Sequence, residues 1–160
     1  MFNPNTSPHA KAFMRQAEIA ALAIGIKLSA TPFQGDADIE SAIVALSREP
    51  GGGLIVLPEP STNVRSAIII ELAARYRLPT LFAFRYQATG GGLISYGVDL
   101  ADSFRGAASY VDRILKGEMP AGLPVPAPTK FALVVNLKTA KTLGLDVPTS
   151  MLLRATEVIE

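Results

Sequence analysis

Apolar and polar positions fall into alternating blocks along this chain, some with helical period and some continuous. Ala10, Phe13, Met14, Ala17, Ala20, Ala21 and Ile24 recur at helical spacing, and Gly25 closes the run. Ser7 suits a cap ahead of it and Pro8 a first helical position. Ile26 to Phe33 alternates loosely and predicts a strand. A second helix, from Asp36 or Asp38, carries Ile39, Ala42, Ile43 and Leu46 and stops at Pro50 and the glycines after it. Leu54 to Leu57 is uninterrupted and apolar, as in a sheet covered on both faces. Pro58 to Asn63 is its exit loop. Ser61 or Thr62 can cap the next helix, which carries Val64, Ile68, Ile69, Leu72 and Ala73 and ends in the basic turn Arg75-Tyr76-Arg77.

Thr80 to Phe84, entered through Pro79, predicts a short buried strand. Its exit turns polar at Arg85, Tyr86 and Gln87, and Gly90 to Gly92 lead to a second short strand ending in Ser95 and Tyr96. Asp99 or Asp102 opens a helix with Leu100, Phe104, Ala107, Ala108, Val111, Ile114 and Leu115 inward and Gly117 as stop. Met119 to Pro128 holds four prolines and predicts an extended crossover. Phe131 to Val135 is a last strand. Asn136 caps a short helix, Leu137 to Leu143, and Val147-Pro148-Thr149 leads into a terminal helix of about ten residues. The alternation predicts one α/β domain over residues 1–160, three-layered around a mostly parallel sheet. Such a fold starts with a strand, yet only Met1 and Phe2 precede the first exit. Either that strand is very short, or the chain is a fragment, or a neighbour supplies the pairing.

Composition narrows the classes. Hydrophobic residues make up 49% and charged residues 18%, enough for a sizeable core. The net charge is +1 with Lys and Arg scattered, so nothing calls for nucleic acid or an anionic membrane. Cysteine is absent and His9 is the single histidine, which excludes disulfides, thiolate sites and a histidine metal cluster within one chain. Asp36, Asp38 and Glu40 read as helix-start acids before a metal site. The glycine triplets are turns, since neither forms a phosphate loop opening a helix. Ser95 lacks a nucleophile elbow, and no catalytic set emerges; the expectation is a protein that is not an enzyme and takes no cofactor. No apolar run spans a bilayer, and the N-terminus has neither the basic start nor the apolar stretch of a signal peptide.

In open α/β sheets ligands sit at the carboxyl ends of the strands, so the exits carry the candidate chemistry. Asn3, Asn5, Thr6 and Ser7 can bind a carboxylate at a helix N-terminus, or form an ordinary turn and cap. Glu59 can pair with a ligand ammonium, or be a solvated loop acid; Ser61 lies beside it. Phe84, Arg85 and Tyr86 can stack on or clamp a ligand, with Phe84 equally readable as core. Ser95 and Tyr96 can line the cleft or hinge, or simply pack near a turn.

The order of several stretches then matters: Phe2-Asn3-Pro4-Asn5, Leu54 to Pro60, Leu78-Pro79-Thr80, Gly91-Gly92-Leu93-Ile94-Ser95-Tyr96-Gly97, Tyr110 to Gly117, and Pro128-Thr129-Lys130-Phe131 with Val135 to Ala140. Together they resemble the C-terminal half of ABC-transporter substrate-binding proteins of the tryptophan/tyrosine-binding type, which have the two-lobed type I periplasmic binding fold. The resemblance implies one lobe of that fold, a small amino-acid-like solute (an aromatic amino acid among the candidates), an ABC permease as partner and a periplasmic location. As a full gene product without a signal peptide the chain would stay in the cytoplasm. Family members carry a whole N-terminal lobe ahead of a motif like Phe2-Asn3-Pro4, so the resemblance implies that residues 99–128 would contact a lobe this chain does not include. The alternative is a stand-alone oligomeric ligand-sensing or assembly domain, with a small α/β enzyme a weaker third reading. An exposed stripe on the 99–117 helix and unpaired backbone both lead to the expectation of a homo-oligomer.

Overall fold

The computed structural model describes residues Met1–Glu160, and its sheet begins at the first residue. The Met1 amine donates to the Ile55 carbonyl at 2.6 Å, and the Leu57 N–H donates to the Met1 carbonyl at 3.1 Å. On the other side Phe2 bridges Pro32 in parallel, with its N–H on Thr31 and the Phe33 N–H on its carbonyl. Met1 and Phe2 are thus the short first strand, wedged between the 31–33 and 54–57 segments. The loosely alternating Ile26–Phe33 stretch pairs only at its end and forms no strand of its own.

Five assigned strands continue the sheet in sequence order: β1 (Leu54–Ile55), β2 (Thr80–Phe82), β3 (Ile94–Val98), β4 (Phe131–Asn136) and β5 (Glu157–Ile159). Pairing is parallel from β1 to β3, antiparallel between β3 and β4, and parallel again between β4 and β5. β3 runs on to Val98, beyond the expected end at Tyr96. The C-terminus differs most from expectation. The helix after Pro148 is only α8 (Thr149–Leu152), and the chain then pairs with β4 as β5. Val158, on that strand, meets Val135 across the ladder. A period-3.6 reading of so short a segment loses to an open edge that needs a partner.

One face of the sheet is sealed. Helices α2 (Asp36–Ser47) and α4 (Ser66–Arg75) lay Ile39, Ile43, Ile69 and Leu72 on Leu54, Val56 and Phe82, with Met1, Phe33 and Leu78 in the same cluster. Asp38 caps its own helix by accepting from the Gln34 and Gly35 amides, which hold its carboxyl below the usual range. Asn136 caps α7 (Leu137–Leu143) through the Thr139 amide, as its position predicts. Helix α1 (Ala10–Ala23) starts later than expected: Ser7 offers its carbonyl to Ala10, and no side chain caps the helix. The right-handed crossover rule sets α1 on the opposite face from α2 and α4, near Phe2.

The rest of that second face is only partly covered. Cross-strand register puts Ile55, Leu81, Ile94, Val135 and Val158 in one row, with Tyr96, Leu133, Val98 and Phe131 beside it. Of these only Val135 is buried; Ile55, Tyr96 and Phe131 are exposed. The helix expected to point inward is also uncovered. α6 (Leu100–Leu115), capped by Asp99, has none of its residues buried, and Phe104 is 73% exposed. It ends at Gly117, whose φ of 97° is the left-handed geometry a glycine stop supplies. The prolines of the crossover give an extended strap with one turn of 3-10 helix, Pro120–Gly122. The strap returns along α6, where the Tyr110 hydroxyl donates to the Pro124 carbonyl at 2.7 Å and Lys130 pairs with Asp102 at 2.6 Å. Both roots of this arm meet where the Asp99 N–H donates to the Lys130 carbonyl.

Candidate functional site

The first strand lies between segments reached in opposite directions, the 31–33 segment on one side and 54–57 on the other. That is the place where an open α/β sheet splays its exits apart and forms a crevice. The exits are Asn3–Ser7 and Pro58–Asn63, and Glu59 joins them. Its Oε1 accepts from the Asn3 N–H at 3.3 Å and the Thr62 N–H at 2.9 Å; its Oε2 accepts from the Thr6 hydroxyl at 2.7 Å and the Ser61 N–H at 2.8 Å. Glu59 is only 5% exposed, so it is not a solvated loop acid. It is also the cap of α3 (Pro60–Val64), the place expected for Ser61 or Thr62. Thr62 is fully buried, with its hydroxyl donating to the backbone carbonyls of Leu57 and Glu59.

A carboxylate offers about four acceptor positions, and all are taken here. Glu59 therefore sets the geometry of the crevice. The neighbouring polar groups divide into buried and exposed. Asn3 is buried and braced: its Oδ1 accepts from the Asn5 N–H at 2.9 Å, and its amide nitrogen reaches the Ser61 hydroxyl at 3.4 Å. Asn5 and Thr6 are exposed, and Ser7 is buried. The Ser7 and His9 amides donate to no protein acceptor at the start of α1. The Met1 amine, two residues ahead of Asn3, is buried as well. Desolvation pushes the Met1 amine down to about 5, with the Glu59 carboxylate opposing the fall.

A second group of candidates lies at the β2 exit. The stretch read as a polar exit is a short helix, α5 (Arg85–Thr89), and the buried Gln87 caps it by accepting the Phe84 N–H at 3.0 Å. The Phe84 and Tyr86 rings stack with centroids 5.7 Å apart. Arg85 does not project free: Glu157 of β5 grips it at 2.5 and 2.7 Å and holds the guanidinium above its usual pKa. Arg85 and Tyr86 line a cavity of about 340 Å³ with Gly97, Val98 and Glu157. The Gly97 backbone makes that wall possible, since a Cβ there would stand 2.1 Å from the Ala83 carbonyl oxygen.

Ser95 and Tyr96 part company. Ser95 is 1% exposed, between Phe82 and Val134 in the sealed face. Tyr96 is on the partly covered second face, stacked on Phe131 at 6.0 Å. The structure thus brings Asn3, Asn5, Thr6, Ser7, Glu59 and Ser61 together, sets Phe84, Arg85 and Tyr86 at the next exit, one strand beyond Glu59 and Ser61 and roughly 5 Å at strand spacing, and leaves Ser95 and Tyr96 out of both groups. Asn63 was not among the candidates, yet its Oδ1 is buried beside this crevice with no partner. Its place inside α3 hid it, because nothing in the pattern marked a helix so short.

The model of the family described as ABC transporter substrate binding protein matches residues 1–159. The chain belongs to that family. A solved conserved domain protein from Vibrio cholerae O1 biovar El Tor is similar over 98% of this chain and 52% of its own, with a TM-score of 0.82 and 27% identity. An ABC domain in complex with L-Trp from Streptococcus pneumoniae is similar at TM-score 0.83 and 20% identity, over 99% and 53%. A ligand-free, open substrate-binding protein with adhesive properties from Clostridium difficile aligns at TM-score 0.69 and 16% identity, over 99% and 52%. No curated protein matches the chain. This member of the family spans about half the length of the solved proteins it matches, and its α/β sheet is that of one lobe of a periplasmic binding fold. No helix in it is long and apolar enough to cross a membrane.

Proposed function

We propose that this chain supplies one lobe of a solute-capture protein for an ABC-type importer, binding a small amino-acid-like ligand without making or breaking a bond. The observation that carries it is the convergence of two strand exits on the buried Glu59 carboxylate, at the crevice of a sheet whose family binds substrates. The ligand's carboxylate meets the Ser7 and His9 amides and the Asn5 side chain at the positive end of α1. The Ser61 hydroxyl faces its ammonium side. The stacked Phe84 and Tyr86 rings offer an apolar wall, which fits an aromatic side chain. The L-Trp bound by the Streptococcus pneumoniae relative supports that choice. A periplasmic location and an ABC permease partner follow from the same reading, and the bare stripe of α6 is where a second lobe seats.

A single lobe leaves its ligand half exposed, so a monomeric chain binds weakly, with Kd above about 1 µM. Native mass spectrometry of the purified protein, followed by calorimetry against the amino acids, tests the reading. Weak binding of an aromatic amino acid, lost in Ser61→Ala, is expected. No binding of any amino acid contradicts the solute reading, and submicromolar binding by a confirmed monomer contradicts the half-site.

A further inference from the structure

Four hydrogen-bond donors at the start of α1 are unclaimed. The N–H groups of Ser7, His9 and Lys11 donate to no protein acceptor, whereas the Ala10 N–H is taken by the Ser7 carbonyl and the Ala12 N–H by the His9 carbonyl. The fourth donor is the Ser7 hydroxyl. Ser7 is 7% exposed, yet its hydroxyl neither caps the helix nor bonds elsewhere in the protein. Asn63 Oδ1 is the one side-chain polar atom sealed from solvent without a partner, so the Ser7 oxygen opens to solvent at the start of α1. Covalent geometry holds it beside the residue's own free N–H. A mostly buried hydroxyl with no protein partner needs one from outside the chain. No acid stands in the first turn of α1, so the helix does not fill its own positive end.

We infer that Ser7 makes a free carboxylate the required end group of the solute, and that the carboxamide of the same compound is refused. This rests on the proposed solute binding and adds which end group that solute must carry. An ionised carboxylate only accepts, at about four positions. A site of four donors and no acceptor of its own suits that group. A carboxamide turns an NH₂ toward N–H groups, and a site built to hydrogen-bond one group rejects the analogue that leaves its polar atoms unpaired. Glu59 draws on none of the four donors, being filled by Asn3, Thr6, Ser61 and Thr62. Its charge opposes an incoming anion through space, but the water and salt of an open crevice screen that repulsion, while the free donors act in contact. The two effects order the ligands oppositely. An amino-acid amide carries a net positive charge that Glu59 attracts, so the order of acid and amide decides which effect governs the site.

The test titrates the ¹⁵N-labelled 160-residue chain with L-tryptophan, L-tyrosine, L-phenylalanine and L-leucine, each paired with its carboxamide, and follows the backbone amides. The acid that binds is expected to move Ser7, His9 and Lys11 in a saturable way, and its amide to bind at least tenfold more weakly. Ser7→Ala removes one oxygen and keeps every N–H. It is expected to weaken the acid about tenfold and to leave the amide unchanged, so that the preference shrinks by the same factor. Amides of Ile69 and Val134, buried in the sheet, report that the variant keeps its fold. An amide that binds as tightly as its acid overturns the inference and leaves the solute reading standing. So does a Ser7→Ala protein with the parent's preference, or one that loses both ligands equally, which marks Ser7 as merely structural. No saturable shift with any acid or amide defeats the solute reading and the inference with it.

Discussion

Thr6 and Glu59, 53 residues apart, are joined by a hydrogen bond of 2.7 Å from the threonine hydroxyl to the carboxylate. With the Asn3, Ser61 and Thr62 amides on the same carboxylate, it fastens the first exit of the sheet to the third. The crevice between them is therefore set before any ligand arrives, which is the arrangement that lowers the cost of binding.

Glu59→Gln removes the charge and gives Ser61 a donor to face in place of an acceptor. Hydrogen bonds to a buried charged group contribute about 1.5–3 kcal/mol, so the substitution is expected to cost about 2 kcal/mol in urea unfolding. Thr6→Val, which removes one of the four donors, is expected to cost about 1 kcal/mol. Ser61→Ala keeps its N–H on Glu59 and is expected to leave stability within about 0.5 kcal/mol. A Glu59→Gln protein as stable as the parent would show that the carboxylate does not hold the crevice together.

Much of this was readable in the residues. The cap and helix at Asn136, the extended proline strap and the apolar stripe of α6 all follow from local pattern. So did the exits, because strands that end in polar loops align at one end of a parallel sheet. The failures have physical causes. Glu59 reads as a ligand partner or a solvated acid from its proline-flanked loop, and only the fold shows the four donors that bury it. Arg85 looks like a free clamp until β5, misread as helix, places Glu157 against it. Ser95 and Tyr96 are adjacent, and a strand sends adjacent side chains to opposite faces.

Two glycines separate close approach from mere flexibility. At Gly97 a Cβ would stand 2.1 Å from the Ala83 carbonyl oxygen, whereas at Gly106 on α6 nothing lies within 4 Å. Gly97→Ala is expected to cost more than about 3 kcal/mol, the cost of a backbone shift between β2 and β3. Gly106→Ala is expected to stabilise by about 0.5–1 kcal/mol through helix propensity. Equal effects in thermal unfolding would contradict the packing of β3 on the β2 exit.

Acidity supplies a third test, in the 160-residue chain with a free amino terminus. The Met1 amine has its pKa pushed down to about 5 in the fold, from a usual value of about 8. Between those values the unfolded chain binds the proton and the folded chain does not. Stability from this group is therefore full above pH 8 and falls as pH drops toward 5, by up to about 4 kcal/mol for three units. Urea midpoints across that window should show the slope, and acetylation of Met1 should abolish it. A flat profile before acetylation would mean that the Met1 nitrogen is not enclosed beside Ile55.

The central claim is that a solute sits at the exits after Phe2 and Leu57, and amide NMR tests it most directly. Titration of the uniformly ¹⁵N-labelled chain with L-tryptophan, and with other amino acids in parallel, is expected to move the amides of Asn5, Ser7, His9 and Ser61 in a saturable way, with smaller shifts at Phe84 and Tyr86. Ser61→Ala should weaken the response at every one of these positions. No saturable shift with any amino acid, or shifts confined to the groove between α6 and residues 126–130, would contradict the account.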